Sequence, residues 1–534
     1  MPAVHRLPLT NSVDLQRRRL LVAGGGLALL TSTSHMPVWA GPLGANPFTL
    51  GVASGDPTPD GFVIWTRLAP RPLDEHGGMP AAQIPVRWEV AEDEAFRTVV
   101  RQGESLAMPE LAHSVHVEVD GLRPHRHYWY RFSTGGSDTS PVGRVRTSPT
   151  AGAAVDRVRV GLVGCQHYEQ GFYDGYAHLA REDLDLAYHY GDYIYEGGPT
   201  PLGTLEGRSW TAVRQHVGNK LYSIDDYRRR YAQYRSDPLL QAAHASCAFA
   251  MSFDDHEIEN NWAGGIDQQQ TALEIFALRR LAALQAWYEN MPVRRAQFPS
   301  LQKGGLTAYR RLDYGRLLRV HVLDTRSYRS DQPCDDGKRQ SCGWDEHTSP
   351  DILGSAQEAW LDRGLAHDGI WNLLAQQITM MPVDSRAQDA SDGKYNTDIW
   401  DGYRPARKRM IDMLQRHGRA NVVVASGDLH RHVVGEIPVH DEDPAGAKVA
   451  VEFQGTSISS SGNGTGDRDT ARMLSNNPHF DLYTDRRGYQ LFDITPTQWT
   501  TEVKVIDQVE RPGGTMRTLQ RYVVAPGQAK LERA

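Results

Sequence analysis

Four cysteines in a chain of 534 residues are too few to staple a scaffold together, so the fold must rest on a packed core. The sequence also lacks an apolar run long enough to span a bilayer, since the run from Leu20 to Leu30 is short and interrupted by glycines. Positive charge is not in excess. The formal charge of -7 argues against a nucleic-acid partner, which would favour a basic face. No Gly-x-Ser-x-Gly elbow is present, so nothing in the sequence supplies a serine nucleophile of that kind. Internal repeats are absent too. What remains is an ordinary globular composition, 40% apolar and 23% charged, long enough for two or three domains.

The first forty residues stand apart from the fold. Gln16-Arg-Arg-Arg-Leu-Leu21 precedes a weakly apolar stretch, and Val38-Trp-Ala40 offers a small-residue cleavage site before Gly41. Paired arginines ahead of a mild apolar run read as a twin-arginine export signal over residues 1–40, with an ordinary secretory signal or a basic arm as the plainer alternatives. Without residues 1–40 the balance is 54 basic against 64 acidic side chains. Export to the periplasm or the exterior is expected. In such a compartment Cys334 and Cys342, in one polar loop, suit a loop-closing disulfide. Cys247 lies in an apolar run and reads as a small buried side chain.

Residues 46–149 carry short alternating runs, Phe62 to Thr66, Val86 to Val90, Val115 to Val119 and Tyr128 to Phe132, with turn residues every eight to twelve positions. That spacing predicts a small β-sandwich. Gly121-Leu-Arg-Pro-His-Arg-His-Tyr128 resembles the turn and corner tyrosine of a fibronectin type III domain. From residue 155 to 508 apolar strands alternate with helical stretches, Tyr227 to Tyr234 and Thr271 to Trp287 among them, which predicts an α/β layered domain. Residues 509–534 read as a polar tail with short extended runs.

Four predicted strands close on ligand-type residues. Val158 to Gly164 ends in Cys165-Gln-His167. Asp185 to Gly191 ends in Asp192-Tyr-Ile-Tyr195. Ala248 to Met251 runs into Asp254-Asp255-His256-Glu257, and Asn421 to Gly427 ends in Asp428-Leu-His430. Ligands gather beyond the carboxyl ends of strands in α/β sheets, so four such ends describe a metal site. An aspartate three residues before a tyrosine lets one carboxylate bridge two cations while a phenolate binds one of them, a donor set that suits iron(III). Cys165 adds a thiolate, and the oxygen-rich remainder favours Ca²⁺ or Mg²⁺. The chemistry expected is phosphate-ester hydrolysis by metal-hydroxide attack, with His256, or Glu257 behind it, protonating the leaving oxygen. Taken singly, each residue has a plainer explanation: Tyr195 as packing, Asp254 and Asn260 as caps, His189 as a core histidine. His167 and His432 are open between ligand and structural roles.

Gly164-Cys-Gln, Gly191-Asp-Tyr-Ile-Tyr-Glu, Phe253-Asp-Asp-His-Glu-Ile-Glu-Asn-Asn-Trp262 and Ser426-Gly-Asp-Leu-His430 together resemble the PhoD family of alkaline phosphatases and phosphodiesterases. Asp324-Thr-Arg-Ser-Tyr-Arg329, Trp400-Asp-Gly-Tyr403 and Gly455-Thr-Ser-Ile-Ser-Ser460 fit as well. The resemblance implies a four-layer metallophosphoesterase sandwich related to purple acid phosphatases, behind a β-sandwich, holding one Fe³⁺ and two Ca²⁺, with Mg²⁺ or Zn²⁺ as substitutes. Carried onto this chain, Cys165, Asp192, Tyr195 and His430 would hold iron, while Asp192, Asp255, Asp428 and Asn260 would serve calcium. His256, Asp255 and Glu257 would be catalytic. The implied function is an exported alkaline phosphatase acting as a monomer on phosphate monoesters and diesters, phospholipid or teichoic-acid-like diesters included. A phospholipase D-like diesterase and a non-catalytic phosphate- or glycan-binding protein are the alternatives. The chain departs from the expected pattern at Ser246-Cys-Ala and Phe253, which are packing positions ahead of the acidic cluster.

Overall fold

The computed structural model describes residues 45–534 except 136–137, 204–209, 300–305, 336–337, 340–349, 368 and 419–420. The export signal over residues 1–40 and Cys342 therefore lie outside the described residues. Cys334 is disulfide-bonded, whereas Cys165 and Cys247 are free and buried.

Two large sheets, of ten and seven strands, make the framework. In the first, Val158–Val163, Leu186–His189 and Ala248–Met251 run parallel at the centre. In the second, Leu318–Val322, Trp371–Ala375, Val422–Ser426 and Lys448–Gln454 do the same. Successive side chains on a strand point to opposite faces, and these strands are apolar on both. Val160 and Leu162 share one core with Val320, Leu373, Val423 and Phe453 of the other sheet. Their neighbours Val163, Ala187 and Phe249 pack outward, under the helices Ile224–Arg235 and Leu273–Asn290. Leu374, Val422 and Val424 likewise lie under Gly354–Leu365 and Arg404–Arg416. The layers run helix, sheet, sheet, helix, and the strand ends of both sheets meet at one edge.

The β-sandwich is joined to this framework strand by strand. Its four-stranded sheet is Val99–Ala107, Ile84–Ala91, His127–Ser133 and Gly143–Arg146. The opposing strands, Val52–Thr58, Gly61–Arg67 and Ser114–Val119, continue the ten-stranded sheet, because Ser54 and Gly55 pair in parallel with Ala248 and Phe249. Glycine is what permits so close an approach. A Cβ on Gly55 would sit 2.1 Å from the Pro292 carbonyl oxygen. The corner tyrosine is present: the Tyr128 hydroxyl accepts from the Arg123 amide at 3.0 Å and donates to the Arg123 carbonyl at 3.4 Å.

The other end of the ten-stranded sheet corrects the expected polar tail. Met516–Val524 pairs antiparallel with Trp499–Ile506, and Glu532–Arg533 pairs beyond it. Only Tyr522 and Val524 of that segment are fully buried, so an edge strand wet along most of its length reads as polar sequence.

Candidate active site

The geometry of the site begins with Tyr190. Its ring fills the space where three strand ends converge: a Cβ on Gly164, Gly427 or Gly455 would lie within 2.8 Å of a Tyr190 ring carbon. Its hydroxyl donates to the Thr456 carbonyl. Three glycines from two sheets thus close around one aromatic ring, and Cys165 and Asp428 follow directly on two of them. Cys165, Asp192, Asp428 and His430 all have φ between 50° and 71°, a left-handed conformation that costs a non-glycine residue roughly 1–3 kcal/mol. Strain of this kind persists only where the surroundings enforce it, and here it turns four side chains into the same volume.

Within that volume the Tyr195 hydroxyl donates to Asp192 Oδ2 at 2.7 Å and lies 3.1 Å from His430 Nε2. The Ser460 Oγ is 2.7 Å from the same hydroxyl and donates to the Cys165 carbonyl at 2.8 Å. Cys165, Asp192 and His430 each place a ligand atom within 4.8 Å of the others. Asp192 also groups with Asp255 and His256, and Asp255 with Asp254 and Asp428, at the same spacing. Asp192 is the residue shared between the thiol-and-imidazole side and the carboxylate side.

These groups fit bound cations. Asp192 Oδ1 is buried with no hydrogen-bond partner among the described residues. Burial pushes the Asp192 carboxyl up to about 7, with Asp255 adding to the effect and His256 opposing it. Burial, followed by Asp254 and Asp255, raises Asp428 too. So many carboxylates cannot all ionise at this spacing without positive charge between them.

Part of that charge is built in. Arg326, fully buried, donates through Nε to Asp254 and through Nη1 to Asp398 at 2.8 Å, and its Nη2 stands 3.9 Å from both Asp255 and Asp428. Asp254 is therefore paired with an arginine. Burial alone would lower the His256 imidazolium, but Glu196, Asp255 and Asp192 outweigh it and hold the ring well above the usual histidine range. Glu196 takes His256 Nδ1 at 2.7 Å on one oxygen and the Asn260 amide at 3.0 Å on the other.

Two expectations change. Glu257 does not face the site: its two oxygens accept the backbone N–H groups of Asp192, Tyr193 and Asp254, so it fixes the strand ends and has no free atom for proton transfer. The Asn260 carboxamide donates to Gln268 at 2.7 Å, on the exposed side of the loop. His432 is fully buried beside Gln490, and His189 is the core histidine expected, accepting the Gly191 amide at 3.3 Å. Two residues lie in the quoted motifs, but their partners are not readable locally. Glu196 adjoins Tyr195 but finds His256 only through folding, and Arg326 lies some seventy positions from each of the aspartates it binds. A further group, His167, Glu169 and His216, has metal-like spacing. Some of its ligand atoms are already engaged: Glu169 Oε1 accepts the Thr200 and His216 amides, both at 2.8 Å, and His167 Nδ1 accepts the Glu169 amide at 3.3 Å, while His216 Nδ1 stands 3.7 Å from Glu169 Oε2.

A family model described as PhoD-like phosphatase matches residues 160–503, and the model of that family's N-terminal domain matches residues 34–149. This chain belongs to the PhoD-like phosphatase family. It is a phosphoric ester hydrolase. The alkaline phosphatase D of Bacillus subtilis (strain 168) is 43% identical over 511 residues, which cover 95% of this chain and 86% of the relative. A solved structure of PhoD superposes with a TM-score of 0.88 at 43% identity over 93% of each chain. A purple acid phosphatase from yellow lupin seeds, 12% identical, superposes with a TM-score of 0.53 over 89% of this chain and 73% of its own, which shows a shared fold. No helix among the described residues is long and apolar enough to cross a membrane.

Proposed function

We propose that the protein is an exported alkaline phosphatase that hydrolyses phosphate monoesters and diesters. The observation that carries this reading is the convergence of a thiol, a phenol, an imidazole and three carboxylates from strand ends of both sheets. Cys165, Asp192, Tyr195 and His430 would hold one ion, a donor set suited to Fe³⁺. Asp192, Asp255 and Asp428 offer only oxygen, which suits Ca²⁺, with Mg²⁺ the closest substitute. When bound, such ions activate water and neutralise charge on the phosphate in an in-line displacement.

The chain's own side chains do the rest. Glu196 fixes His256 by its Nδ1 and keeps it protonated, so the remaining ring nitrogen can give a proton to the departing alkoxide. Arg326 holds Asp254 and faces Asp255 and Asp428, so the acidic residues keep their places before substrate arrives. Arg487, buried, donates to the His430 carbonyl at 3.0 Å and to Ser457, which ties the histidine to the loop after Gln454. A narrower, phospholipase-like preference draws support from one surface feature. Leu273, Ile275 and Leu278 are exposed at 61%, 62% and 70% in the first turns of the helix that follows the acidic loop.

The test is hydrolysis of p-nitrophenyl phosphate and bis-p-nitrophenyl phosphate at alkaline pH, with and without a calcium chelator. Chelator-sensitive release from both substrates is expected. Release from the diester alone would favour the phospholipase-like preference, and release from neither by metal-loaded protein would defeat the reading.

A further inference from the structure

Two histidine rings rest against Tyr195, each with its centroid 4.3 Å from the phenol ring: His256, discussed above, and His167. They are held by opposite kinds of partner. His256 Nδ1 meets a carboxylate oxygen of Glu196, which requires a proton on that nitrogen. His167 Nδ1 accepts the backbone N–H of Glu169, which requires a lone pair there and so places the ring's hydrogen on Nε2. The backbone of His167 is fastened as well: its N–H donates to Ser460 Oγ at 3.0 Å, and its carbonyl accepts from Ser459 Oγ at 2.9 Å. The ring is half-buried, backed by His216 at 5.2 Å and Trp210 at 6.0 Å. Nothing among the described residues occupies its Nε2.

A ring whose tautomer and backbone are fixed, which packs against Tyr195 and whose N–H has no partner among the described residues, is suited to donate a hydrogen bond. We propose that His167 is a substrate-contacting residue whose Nε2–H, set by the backbone amide at Nδ1, donates to a non-bridging phosphate oxygen. The inference rests on the phosphatase reading. The two histidines differ in what holds them: Nδ1 of His256 meets a carboxylate, whereas the backbone amide at Nδ1 of His167 makes that ring a fixed hydrogen-bond donor that transfers no proton.

The experiment compares wild type, His167→Ala, His167→Gln and His256→Ala on p-nitrophenyl phosphate and phenyl phosphate, whose leaving groups differ in basicity. His167→Ala is expected to lower kcat/KM by about tenfold or more, and equally on both substrates, because a bond to a phosphate oxygen does not sense the leaving group. His167→Gln, whose carboxamide N–H can stand where Nε2–H stood, should recover part of the loss. His256→Ala should cost much more on phenyl phosphate. Metal content of the His167 variants should equal that of wild type. The proposal is overturned if His167→Ala stays within about twofold of wild type on both substrates. It is equally overturned if the loss is larger on phenyl phosphate, or if activity falls only in step with bound metal. Wild-type protein inactive on both substrates would instead remove the phosphatase reading, and this inference with it.

Discussion

The two sheets contribute to the site in different ways. The ten-stranded sheet delivers Cys165, Asp192, Tyr195, Asp255 and His256 from three adjacent parallel strands, so most of the donor atoms come from one continuous ladder. The seven-stranded sheet delivers Asp428 and His430 from one strand end, together with the residues that hold others in place: Arg326 after Leu318–Val322, and Ser457 and Ser460 after Lys448–Gln454. One sheet offers most of the candidate donors, and the other adds two and steadies the rest. Neither is a site alone, which explains why Tyr190 and its three glycines, the point where the sheets meet, lie directly beneath the chemistry.

Removing one shared and one unshared ligand gives the largest test of that difference. Asp192 belongs to both ligand groups and Asp428 to one. Asp192→Ala should abolish binding of both kinds of metal and cost well over the roughly 100-fold typical of an outer partner, whereas Asp428→Ala should spare iron and lose calcium. Elemental analysis with turnover on one preparation checks this, and equal loss of iron in both variants would erase the distinction. Next in size is Glu196→Gln. It removes the charge that holds His256 protonated and should lower kcat about 100-fold, most for poor leaving groups, with metal content intact. An unchanged kcat would return Glu196 to a purely structural role.

At the seam, Gly427→Ala would put a methyl 2.2 Å from the Tyr190 ring. About 1–3 kcal/mol of destabilisation is expected from denaturant unfolding, because that ring has no empty space to move into. The smallest effect belongs to Asn260→Ala, which should change stability by no more than about 0.5 kcal/mol and leave calcium binding alone. Loss of calcium in that variant would restore Asn260 to the ligand set.

The candidate donor groups were legible because each is local to a strand end. An apolar run followed within three residues by an acid, a histidine or a tyrosine can be read directly, and the strand and helix runs give an α/β layered domain, whose four layers came from the family resemblance. Orientation was not legible. Glu257 sits in the densest acidic stretch of the chain, yet the turn after Asp255 points it back at the amides of Asp192 and Tyr193, more than sixty residues away. Asn260 leaves the site for the same reason, carried outward by that turn. Glu196, Arg326 and Asp398 acquire their roles only through contacts across the fold, and the parallel pairing of Ser54 with Ala248 depends on backbone proximity that glycine allows but no motif announces. The Met516–Val524 strand was hidden by its position at a wet edge.

Tyr195, in contact with Asp192 and His430, would hold the iron of the proposed two-sheet site. The visible absorption of the purified, metal-loaded protein tests it, measured for wild type and Tyr195→Phe at equal iron content. A tyrosinate-to-iron band present in wild type and absent from Tyr195→Phe is the predicted result. An iron-loaded, active wild-type protein whose spectrum is unchanged by Tyr195→Phe would contradict it.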